Sequence, residues 1–150
     1  MFAAIPISTD APVYHFPYTT IGLILVNTVV FCLTASVAPD QLRPWMAVYG
    51  NGLHPVQWVT SCFLHANLPH LLFNMIGLWT FGLVVEGKLG WRRFLAVYLS
   101  IGIVAKIIAQ LAFLGLDVPR YSLGASGCIY GVMALALIWA PLNEIQFLGV

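Results

Sequence analysis

Apolar residues fall into four long blocks, at about 18–37, 60–85, 94–116 and 124–140, separated by stretches where Pro, Gly and charged residues gather. Each block is close to the roughly twenty residues a helix needs to cross about 30 Å of hydrocarbon, so the pattern predicts four transmembrane helices. The first block holds no charge. The loop that follows it, APDQLRPWMAVYGNGLHPVQW, is too long for a minimal helical hairpin and too apolar for a free linker. Trp45, Tyr49 and Trp58 in it are expected to anchor at the membrane interface. Pro6, Pro12 and Pro17 interrupt any earlier helix, and no Lys or Arg precedes the first block, so no cleavable signal peptide is expected. The tail LNEIQFLGV begins as a polar turn and becomes apolar, which predicts the start of a fifth helix after Pro141 has ended the fourth.

Composition gives the blocks their setting. With 61% hydrophobic and 7% charged residues, the chain has too few polar side chains to cover a water-soluble globule, so its partners are sought in the bilayer. A net charge of +1 gives no reason to expect nucleic acid. Lys88, Arg92 and Arg93 sit between the second and third blocks, against a single arginine, Arg43 or Arg120, in each of the other loops. The excess of basic residues places that middle loop, and with it both termini, on the cytoplasmic side. Residues 1–17 are then an N-terminal cytoplasmic segment and residues 18–150 one multi-pass integral membrane domain, all-α, a polytopic bundle. Cys32, Cys62 and Cys128 are widely spaced among apolar residues and are expected to pack rather than pair in disulfides.

Polar groups inside the blocks are costly in lipid unless they face protein or a wet cavity, and therefore mark candidate function. His70 and Asn74, four residues apart, share one helical face. His65, five residues before His70, falls roughly 140° away and is expected at the end of the span, outside that cluster. Ser126 lies between Gly124 and Gly127 at the start of the fourth block, at a depth similar to that of His70 and Asn74. A serine attacks a carbonyl only with its proton removed and with donors aimed at the developing oxyanion. Flanking glycines permit close backbone approach, free N–H groups at a helix start point outward, and His70 and Asn74 add side-chain donors. Plainer readings remain open. Gly127 and Gly131 also make a small-xxx-small packing pair, and His70 with Asn74 also makes an interhelical hydrogen-bond pair. Cys62, His65 and His70 do not share a face, so no metal is expected. Lys106 is expected to snorkel or pair within the bundle, and Glu86, beside Lys88, to occupy a solvated turn. A transporter reading of Lys106, Gln110 and the histidines finds little support, because the fourth block below Tyr130, GVMALALIWA, has no polar side chain except the indole N–H of Trp139.

HANLPHLLFN, with His65, His70 and Asn74, followed by GASGCIYG around Ser126, resembles the signature of the rhomboid intramembrane serine proteases. The resemblance implies a six-helix core of which four helices are present. It implies Ser126 as nucleophile, its backbone N–H with His70 and Asn74 as oxyanion hole, and His65, Gly124, Gly127 and Tyr130 in support. It implies substrates that are transmembrane segments of other proteins, and neither metal nor cofactor. The family's general base is a histidine on the sixth helix, whereas His15, His54, His65 and His70 all precede Ser126. The chain therefore reads as a fragment of a longer protease, the alternative being an inactive relative that binds transmembrane clients. Substrate and oligomeric state are not legible in these residues.

Overall fold

The computed structural model describes the backbone at residues 5–9, 14–50, 52–115, 120–140 and 145–148, and side chains at 14–50, 52–115 and 120–140. Strand β1 (Ile5–Thr9) precedes helix α1 (Tyr18–Thr34). A short α2 (Pro39–Leu42), one 3-10 turn and strand β2 (Ala47–Tyr49) lead to α3 (Pro55–Thr60). There follow α4 (Leu68–Leu89), α5 (Trp91–Ala112), β3 (Arg120–Ser122), α6 (Ser126–Trp139) and β4 (Ile145–Leu148). The 22-residue helices α4 and α5 are long and apolar enough to cross a membrane, while α1 and α6 are shorter apolar helices of 17 and 14 residues. The molecule is a mostly helical integral membrane protein, and its core joins α1, α4, α5 and α6 around Leu78, Phe94, Tyr98 and Val132.

Three expectations change. The block at 60–85 is not one helix: Asn67 caps α4 by accepting the His70 N–H at 2.9 Å, and Pro69 occupies the first turn, so the helix starts at Leu68 and residues 55–60 form the separate α3. The tail is not helical where it is described. Ile145–Leu148 pair antiparallel with Ile5–Thr9, with the register shifting between Pro6 and Ser8. Pro6 lies at the irregularity, where a strand tolerates a proline. Pro12 and Pro141, expected to break helices, lie outside the described residues.

Glu86 is fully buried rather than solvated. One carboxylate oxygen accepts the Thr19 N–H at 2.7 Å, and the other accepts the Thr20 N–H and hydroxyl, each at 2.7 Å. Those N–H groups belong to the first turn of α1, which has no partner for them and whose positive dipole end favours an anion. The last turn of α4 thus caps the start of α1. Because removal would orphan three buried donors in lipid, Glu86→Ala is expected to destabilise the bundle by about 3 kcal/mol, read as a lower unfolding midpoint in mixed micelles.

The loop between α1 and α4 is tied to α5 by amides. Gln110, fully buried, accepts the Trp58 indole N–H at 2.6 Å and the His54 N–H at 3.1 Å, and donates to the Val48 carbonyl at 2.9 Å. Gln57 accepts the Val48 N–H and donates to the Pro44 carbonyl. Trp58 is accordingly half-buried and bonded to protein, while Trp45 stays half exposed as an interface anchor would. Lys106 is buried and donates to the Ser122 hydroxyl at 2.9 Å, holding β3, which pairs with β2, just ahead of α6.

Candidate active site

Leu123 to Ser126 turn tightly from β3 into α6. Gly124 adopts φ +110°, a backbone conformation that side chains disfavour, and its N–H donates to the Ser61 carbonyl at 2.8 Å. His70 and Asn74 pack directly on this turn. A Cβ at Gly124 would stand 2.7 Å from His70 Nε2 and 3.6 Å from Asn74 Nδ2, so only glycine lets the two side chains come this close. Ser126 is the first residue of α6 after the buried Ala125, where a backbone N–H has no intrahelical partner.

His70 Nδ1 accepts the Ala66 N–H at 3.4 Å, which leaves Nε2, the atom beside Gly124, as the ring's donor. Asn74 Nδ2 is buried without a hydrogen-bond partner. Two side-chain donors therefore converge on the turn that presents Ser126. Asn74, Ser126 and Tyr130 line one cavity of about 190 Å3, with Phe73, Gly77 and Phe81 forming apolar walls.

The remaining expected residues divide. His65 lies near His70 after all: the ring centroids are 5.1 Å apart, edge to face. Helical spacing misplaced it because it precedes Leu68, where the helix begins. Burial, and then the neighbouring His70, lowers His65 to about 4 against the opposing effect of the Phe63 carbonyl, so the ring is neutral at neutral pH. Gly127 turns toward α5, where a Cβ would meet Ala105 at 3.9 Å. A side chain at Gly131 would collide with Ile101, so the packing reading of the small-residue pair holds at Gly131, beside the reading of the turn as a site. His15 lies against Gly90 at the far end of α4, and the His54 backbone is bonded to Gln110. The Asn67 cap and the Ser61 carbonyl were missed from the sequence, although an Asn two residues before a Pro is a readable helix start.

With this geometry in place, comparison with known proteins decides the family. The family profile for the Rhomboid domain matches residues 53–150, which include the α4 and α6 motifs. The chain belongs to the rhomboid family. The rhomboid chain is 31% identical over 136 residues to the presenilin-associated rhomboid-like protein, mitochondrial, of Homo sapiens, covering 83% of this chain and 36% of that protein. It is 30% identical over 145 residues to rhomboid-like protease 2 of Toxoplasma gondii, covering 85% of this chain and 50% of that protein. Over 90 residues it is 40% identical to the rhomboid protease GluP of Bacillus subtilis (strain 168), covering 60% of this chain and 17% of that protein. The rhomboid chain thus spans about a third of the presenilin-associated relatives.

Proposed function

We propose that this chain carries the nucleophile and oxyanion hole of a rhomboid-type intramembrane serine endopeptidase that cleaves transmembrane segments of membrane proteins. The observation that carries the reading is the convergence of His70 Nε2 and Asn74 Nδ2 on Gly124, two residues before Ser126. Ser126 Oγ attacks the scissile carbonyl, and its N–H with the two side chains holds the oxyanion. In an apolar, water-poor site such preset donors need no reorganisation as charge develops. A general base from outside these 150 residues takes the serine proton. Tyr130 closes the side of the same cavity. In this reading residues 1–17 are cytoplasmic and residues 18–150 form one membrane domain with four spans, α1 and α6 crossing beside α4 and α5. The basic loop at Lys88, Arg92 and Arg93 then faces the cytoplasm.

His70→Ala and Asn74→Ala in the complete protein are each expected to lower the cleavage rate on the order of 10²-fold by removing one donor, with substrate affinity little changed. A second reading, a rhomboid-like binder of transmembrane clients that does not cut, draws on the four histidines His15, His54, His65 and His70, all of which precede Ser126 in the chain. The deciding experiment reconstitutes the complete protein in liposomes with a labelled single-span substrate and follows its mass. Two fragments cut in or beside the span support the protease. Intact substrate held in a complex with the protein overturns it in favour of the binder.

A further inference from the structure

We infer that the loop side of α1 holds a binding site for one single-chain lipid with a small, uncharged, hydroxyl-bearing head, of the monoacylglycerol class. A groove of about 400 Å3 runs along Val26, Val30 and Thr34 of α1, closed from the other side by Trp45 and Phe63. Val26 and Trp45 are about half exposed, so the groove opens where a bilayer would meet the helix. From Val26 to Thr34 is about 12 Å along the helix, enough to seat much of one acyl chain. Its hydroxyls offer no free proton, since Thr34 donates to the Val30 carbonyl and Thr60 to the Trp45 carbonyl, each at 2.8 Å. Apart from these two bonded hydroxyls the groove is lined by apolar and aromatic side chains.

Thr34, Leu42 and Leu64 line both this groove and a second cavity of about 340 Å3, so the two adjoin across these side chains. The second cavity is where the polar group lies. His65 lines it with only 6% of its surface exposed, and neither ring nitrogen completes a hydrogen bond, although the Phe63 carbonyl is near enough to favour the protonated ring. A neutral imidazole offers one donor and one acceptor, and burying both without partners is costly. A hydroxyl answers either. An ionised head does not fit, because no Lys or Arg lines either cavity and Arg43 is already paired with Asp40 at 3.0 Å. Apolar groove, uncharged lining and orphaned imidazole together select a neutral amphiphile over a phospholipid. The head would rest one ring away from His70, yet binding does not depend on whether Ser126 cuts.

The test places the complete protein in phosphatidylcholine nanodiscs with a monoacylglycerol carrying a photoreactive group in its acyl chain. Crosslinks are expected on peptides holding Val26 to Thr34 and Leu64 to Ala66. They should fall about tenfold with Val30→Trp, which fills the groove, stay unchanged with Val104→Trp on the lipid-exposed side of α5, and yield to unlabelled monoacylglycerol but not to lysophosphatidic acid. Native mass spectrometry of the unsubstituted protein, which needs no variant to fold, should retain one monoacylglycerol at collision energies that strip phosphatidylcholine. Crosslinks spread over all exposed helices, equal competition by lysophosphatidic acid, or a protein mass with no retained lipid, as a merely water-filled cavity gives, would each overturn the inference.

Discussion

Gly124→Val in the complete protein is expected to reduce cleavage on the order of 10³-fold or more while leaving the bundle folded. Two physical effects act together. A Cβ at this position falls 2.7 Å from His70 Nε2 and 2.8 Å from Cε1, inside van der Waals contact, so the ring must swing away from the turn. The backbone at φ +110° also disfavours a β-branched residue, so the turn itself relaxes and carries Ser126 with it. Either movement separates the oxyanion donors from the nucleophile, and a displacement of about 1 Å is costly to catalysis. Gly124→Ala should lie between wild type and valine, because the clash remains while the branching does not. Rates are measured with a single-span substrate in liposomes, and the unfolding midpoint in micelles is measured beside them. Full activity in a folded Gly124→Val protein would show that His70 and the turn do not act as one unit.

The residues that carry this expectation were legible in the sequence as types and spacings. His70 and Asn74 four residues apart, and Gly124 two before Ser126, are local patterns, and helical geometry alone puts the first pair on one face. Contacts between distant segments were not legible in the same way. Glu86 looks solvated because Lys88 is near it in the chain, yet its partners Thr19 and Thr20 lie more than sixty residues away. No periodicity within α4 encodes that α1 begins beside its last turn. The same limit hid the Gln110 amide, which fastens Trp58, His54 and Val48 at once. His65 failed for a different reason. Its angular position was computed on a helix that in fact begins after it, at the Asn67 cap, and outside a helix the contact with His70 follows the turn instead. Apolar block lengths were informative for α5 and α1 to within a few residues, because composition alone sets them. The second block misled, since the turn at 61–67, which follows α3, runs into α4 without a Lys, Arg, Asp or Glu to separate them.

Ser126→Ala in the complete protein is expected to abolish cleavage, by a factor on the order of 10⁴ to 10⁶, with substrate binding retained. The substitution is unusually clean. Ser126 is the first residue of α6 and its side chain makes no capping hydrogen bond, the cap position being Ala125, so the hydroxyl does little to hold the helix. The donors that would hold the oxyanion, the Ser126 N–H, His70 Nε2 and Asn74 Nδ2, are all kept by alanine, so whatever rate remains reports what they achieve without a nucleophile. The measurement is the appearance of cleaved substrate by mass spectrometry, beside co-purification of uncleaved substrate with the protein. Lost product with retained binding isolates the hydroxyl as the reacting group. Product formed at an unchanged rate would remove Ser126 from the chemistry and leave the convergence on Gly124 as a packing feature. If the wild-type protein forms no product either, and both proteins hold the substrate equally, the site binds transmembrane segments without cutting them. In that case Asn74 Nδ2, buried and unpaired, is the donor left for a client's carbonyl, and Asn74→Ala rather than Ser126→Ala should weaken the complex.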